Sequence, residues 1–156
     1  MKHYILLFTL FFVSIVNCFS QNSTVNPKLN YPDCSLINES FITEKEDVNA
    51  FVIKSQEEFD RYFKFNNSYK INFENSMVLV GFVGKNNSNK NININGATYN
   101  TRKAILYVKR DLRDKPIGTC GKYCVVVIQK MEYKKILFLN SKKYNRSQRR
   151  KDLLWG

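Results

Sequence analysis

Phe73 to Gly84, FENSMVLVGFVG, decides the fold. Met77, Leu79, Gly81 and Val83 fall on one face of an extended chain, Val78, Val80 and Phe82 fall on the other, and both sets are apolar. Such a pattern predicts a strand buried on both faces and running through the centre of a small domain. The segments after it are expected as its antiparallel neighbours.

Upstream, AFVIK over Ala50 to Lys54 is a strand candidate, and Phe41 to Asp47 fits a short edge strand. The period then changes. Ser55 with Glu58 three residues later forms a capping box, and Phe59, Tyr62 and Phe63 share one helical face, which predicts a helix over Gln56 to Phe65. Glu57, Glu58 and Asp60 suit the positive end of its dipole and are read as helix electrostatics rather than as catalytic carboxylates. Downstream, Gly84 to Lys90 is an asparagine-rich connection. Asn91 to Tyr99 and Lys103 to Lys109 alternate as strands, and Asp111 to Gly121, with Pro116, Gly118 and Gly121, interrupts the ladder. YCVVVIQK over Tyr123 to Lys130 and KILFL over Lys135 to Leu139 are expected as a hairpin. One helix among short-spaced strands leaves no room for parallel crossovers. The expected fold class is α+β, a mainly antiparallel sheet or small β-sandwich with one packed helix.

Four regions are expected: a signal peptide over 1–20, a flexible, loosely docked arm over 21–40, one globular β-rich domain over 41–140 and a basic tail over 141–156. Lys2 and His3 precede an apolar run from Tyr4 to Val16, and Cys18-Phe19-Ser20 resembles a cleavage site. The run falls short of the roughly 20 residues of a spanning helix, so export to the periplasm or beyond is expected, with cleavage before Gln21. Lipid anchoring at Cys18 is the lesser alternative, since Asn17 fits a lipobox poorly.

Residues 21–80 carry 6 basic and 9 acidic groups, net −3, whereas residues 81–156 carry 18 basic and 4 acidic, net +14. A field of that sign draws in anionic surfaces without choosing among membrane, acidic polysaccharide and nucleic acid. KKYNRSQRRK, followed by DLLWG, makes Lys142, Lys143, Arg146, Arg149, Arg150, Lys151 and Trp155 the candidate contacts for such a surface. Sequons at Asn22, Asn38, Asn66, Asn86 and Asn145 arise easily in so asparagine-rich a chain.

Cys34, Cys120 and Cys124 remain after cleavage, and an exported chain with three cysteines suggests one disulfide and one thiol. Cys120 could close a tight loop with Cys124. Alternatively, Cys34 could staple the amino-terminal segment to the last strands, stabilising by about 4 to 5 kcal/mol in the chain-entropy model. Three thiols without a histidine do not complete a zinc tetrahedron, so no metal is expected. The single histidine, His3, lies in the expected signal peptide, and neither a G-x-S-x-G elbow nor a glycine-rich phosphate loop occurs. Glu44, Glu46 and Asp47 read as solvated loop acids. No catalytic residues and no cofactor are expected.

Four segments, FVIKSQEEFDRYF, INFENSMVLVGFVG, NININ and YCVVVIQK, follow one another in an order that resembles the carboxyl-terminal domain family of the bacterial protease-complex accessory subunit PrcB. The Phe-Ser-Gln junction also resembles those of Bacteroidetes-type secreted proteins. That resemblance, over Ala50 to Asn140, implies a non-catalytic envelope module that associates with a partner protein such as a protease. Where that family often carries a Gly-Gly-Tyr type turn, this chain has Lys85, Asn86, Asn87, Ser88, Asn89 and Lys90. Lys85, Asn86, Asn87, Asn89 and Lys90 form the candidate binding loop. Two functions are therefore expected in order: an exported binding or accessory module, and an electrostatic binder of anionic surfaces.

Overall fold

The computed structural model describes residues 24–38 and 49–140. The expected signal peptide with Cys18, the strand over Phe41 to Asp47 with its acidic residues, and the basic tail from 141 onward lie outside the described residues.

The central stretch becomes β5 (Ser76–Phe82), and it stands in the middle of a three-stranded sheet, β3 (Asn49–Ile53), β5 and β8 (Tyr123–Gln129). Both pairings are antiparallel, with Leu79 opposite Val52 on one side and Val126 on the other. The sheet is itself a middle layer. On one side Met77, Leu79 and Val83 meet Ile92, Ile94, Ala97, Leu106 and Val108, which come from a second sheet. On the other side Val78, Val80 and Phe82 meet Phe59 and Phe63 of the helical layer. The α+β sandwich with one packed helix is thus the observed architecture.

The second sheet has the order β1 (Thr24–Val25), β6 (Asn91–Asn100), β7 (Ile105–Arg113), β9 (Lys135–Asn140). The expectation that β6 follows β5 as its neighbour is corrected here. After Val83 a 3-10 turn over Lys85–Asn87 carries the chain across to the facing sheet, and β8 takes the place beside β5. Within β6 the ladder to β7 slips between Ile94 and Gly96. One extra residue, Asn95, reverses the parity, so that Ile92 and Ile94 before it and Ala97 after it all face the core.

The expected hairpin of β8 with β9 is not formed. β9 crosses to the second sheet and pairs parallel with β7, Leu106 opposite Ile136 and Val108 opposite Phe138. Both edges of β8 are occupied: β5 holds one, and on the other Asn30 exchanges two backbone hydrogen bonds with Val127 at 3.0 and 2.8 Å. β8 also serves as the crossover for the parallel pair, a route through the facing sheet that needs no helix.

Helix α1 spans Gln56–Tyr62. Ser55 caps it by accepting from the Glu58 amide at 3.2 Å, and the Glu58 carboxylate accepts in turn from the Lys54 amide at 3.0 Å. The helix stops three residues earlier than the periodicity predicts, because Phe63 turns extended and opens β4 (Phe63–Phe65), paired with β2 (Cys34–Leu36). In that conformation Phe63 and Phe65 both reach Phe59, at ring distances of 5.5 and 4.7 Å. The segment expected as a loosely docked arm is fastened in three places over 24–38: β1 to β6, Asn30 to Val127, and β2 to β4.

The two sheets approach closely at Gly81, where a Cβ would lie 2.9 Å from Ile92 Cδ1. Gly81→Ala is expected to lower stability by about 1–2 kcal/mol by overpacking, measured by urea unfolding. Adding Ile92→Val removes the obstructing methyl and should recover part of that loss. Strict additivity of the two losses would overturn the steric account.

Candidate functional site

At one end of the sandwich the loops after β5 and before β8 are fastened together. The first runs through the 3-10 turn, where the amides of Asn87, Ser88 and Lys90 donate to Gly84, Lys85 and Asn87 carbonyls at 2.8–3.2 Å. The second, over 114–122, includes a tight turn in which Ile117 and Cys120 exchange backbone bonds at 3.0 and 2.9 Å. Gly118 sits inside that turn at φ 55°, a left-handed angle that favours glycine. Lys122 Nζ joins the two by donating to the carbonyls of Ser88 and, at 3.0 Å, of Lys90. Lys90 in turn pairs with Asp114, and Asn91 Nδ2 donates to the Asp114 carbonyl at 3.0 Å. Two backbone bonds complete the joint: Val83 to Lys122 at 2.9 Å and Ile92 to Gly121 at 2.7 Å.

Of the candidate loop residues, Lys85, Asn86 and Asn89 are exposed, while Asn87 and Lys90 are half-buried within the joint. The loop is therefore a framed platform of amides and a lysine. Lys122 and Asp114, which frame it, carry no local sequence signal, because each acts on a partner more than 20 residues away. The other candidate contacts, Lys142, Lys143, Arg146, Arg149, Arg150, Lys151 and Trp155, lie outside the described residues. Asn66, one of the sequon asparagines, donates its amide to Asp33 at 2.8 Å and so helps anchor the amino-terminal segment.

The second loop holds Cys120, and Cys124 follows it at the start of β8. Cys34, Cys120 and Cys124 are all buried, and none of them is joined in a disulfide in this structure. The two cores separate Cys34 from the other two. Cys34 belongs to the core under the helix, whereas Cys120 and Cys124 belong to the core between the sheets. Cys124 Sγ accepts from the Ile94 amide at 3.4 Å and donates to Asn93 Oδ1 at 3.9 Å, so its sulfur is held toward β6. Cys120 and Cys124 act on one another, which raises the Cys124 pKa and lowers that of Cys120. Tyr31, whose hydroxyl donates to the Ile94 carbonyl at 2.6 Å, roofs the same region, and burial raises its pKa. Among the described residues no group of three His, Cys, Asp or Glu side chains is arranged to hold a metal ion.

Burial, followed by the charges of Asp33 and Cys120, pushes the Cys34 thiol up to about 12. In the unfolded chain a thiol loses its proton near about 8.5. The neutral folded thiol therefore contributes stability that is complete below that pH and is lost as pH rises toward the folded value. Stability above pH 9 is expected to fall less steeply in Cys34→Ala than in the unaltered protein, and equal slopes would refute the assignment. Under native conditions at pH 8, iodoacetamide is expected to reach Cys120 before Cys34 or Cys124. Mass spectrometry showing Cys34 labelled first would contradict this ordering.

No protein-family model, curated protein or solved structure matches the chain.

Proposed function

We propose that the protein is an exported, non-catalytic binding or accessory module of the cell envelope that associates with a partner protein. The observation that carries this reading is the platform after β5. Lys85, Asn86 and Asn89 are presented to solvent on a loop whose carbonyls are tied down by Lys122 and whose exit is tied by Asp114. A loop fixed before binding loses less entropy when a partner docks, so exposed amides there support recognition. The resemblance to the PrcB carboxyl-terminal family makes a protease one such partner. Immobilised protein exposed to envelope extract is expected to retain a defined set of proteins that a Lys85→Ala, Asn86→Ala, Asn89→Ala variant loses. Retention of the same set by the variant, or of nothing at any salt concentration, would refute the reading.

A second reading is supported by charge. Residues 81–140 hold 12 basic and 3 acidic groups, net +9, before the basic tail is counted. Electrostatic binding to vesicles containing anionic lipid or to an acidic polysaccharide is expected to weaken steeply with salt and on deletion of residues 142–151. Salt-independent retention would exclude it.

A further inference from the structure

We propose that the open edge of β9 accepts an extended segment of a partner protein as a fifth strand, a segment with alternating apolar residues and acidic flanks. This deepens the binding-module reading by naming a surface and the chemistry of its partner. β9 ends the order of its sheet, and among the described residues its only strand partner is β7. Its sequence is apolar on both faces. Ile136 and Phe138 pack on the core between the sheets, so Leu137 and Leu139 alternate to the opposite face, where they are half-buried and neither core includes them. There Leu137 stands in register with Tyr107, and Ile105 and Tyr107 continue an apolar strip onto β7.

Three other edges differ. β1 is two residues long, Asn30 covers β8 at Val127, and β3 has its Phe51, Val52 and Ile53 packed in the two cores. Beyond Lys135 at its start, β9 carries few of the usual guards of an edge strand. No proline or charge interrupts Ile136 to Leu139, and its register with β7 is unbroken. Backbone pairing at such an edge supplies affinity, and alternate side-chain positions supply selectivity. Charge narrows the partner. Arg102, Lys103, Lys134 and Lys135 gather where β9 begins, beside the Lys134 amide bond to the Ala104 carbonyl at 2.8 Å, and Arg110 stands at its end, 3.0 Å from Asn140. Glu132 is the one acidic residue between positions 115 and 140. Acidic flanks on the incoming segment complement that frame.

The test uses the full chain and a synthetic peptide, acetyl-Asp-Asp-Val-Thr-Val-Thr-Val-Asp-Asp-amide, with a lysine-flanked version and a version carrying proline at the central valine. The acidic peptide is expected to slow amide exchange across Lys135–Asn140, to bind at least tenfold more tightly than the lysine-flanked peptide, and to weaken as salt rises. The proline version is expected not to protect β9. Leu137→Lys and Leu139→Lys should each weaken binding at least tenfold while the amide exchange of β7 shows the sheet intact. Protection confined to β3, or no protection, would overturn the proposal. So would concentration-dependent self-association through β9, or binding seen only after truncation at Asn140, since the occupant would then be a second copy or the chain's own end. Loss of envelope partners in the platform variant alone, with β9 indifferent to every peptide, would overturn the edge while leaving the binding-module reading standing.

Discussion

The burial of β5 on both faces is the constraint from which the other contacts follow. A strand bearing Met77 and Leu79 on one side, continued by Val83 just past its end, and Val78, Val80 and Phe82 on the other leaves neither face to water. Each such side chain taken from water stabilises by about 1.5–3 kcal/mol, so both faces must be covered. Seven residues of strand therefore call for two further layers. The facing sheet of β6, β7 and β9 supplies one, and α1 with β4 supplies the other. Gly81 sets how closely the first can approach, because Ile92 occupies the space a side chain would fill.

The second layer is built from aromatic rings. Phe59 lies stacked on Phe65, Phe51 meets Tyr62 and Phe82 edge-on, and Phe63 tilts toward Tyr123. Rings bring large apolar area with few rotatable bonds, so a seven-residue helix suffices as a lid. The amino-terminal segment closes what the helix leaves open. Tyr123 Oη donates to the Cys34 carbonyl at 3.2 Å and accepts from the Leu36 amide at 3.3 Å, which ties β2 to β8 through a side chain. The same segment occupies the edge of β8 at Val127, where a hairpin partner would sit, and β9 pairs with β7 in the opposite sheet.

The strands of the domain were legible wherever their hydrophobic alternation was strong, as in β5, β6 and β8, and the start of α1 was legible through Ser55 and Glu58. Pairing was not legible. Nothing within KILFL distinguishes an antiparallel hairpin with β8 from a parallel pairing with β7, since the choice depends on what else competes for each edge. The platform loop could be named from its asparagines, but not its frame, because Lys122 and Asp114 act across long sequence separations. The cysteines could be counted but not paired, since their sulfurs are aimed by the two cores and by Asn93 and Ile94.

The sequence by itself determined the layers: a strand apolar on both faces needs cover on both, and a capped amphipathic turn beside it provides a lid. Its charge asymmetry likewise made the second half basic whatever the fold. Only the tertiary structure decided which strands met, that the three cysteines divide between two cores, and that β9 has β7 as its one strand partner among the described residues. The physical reason is range. Burial and capping act through residues near in sequence, whereas edge occupancy and sulfur placement depend on segments that meet only once the chain has folded.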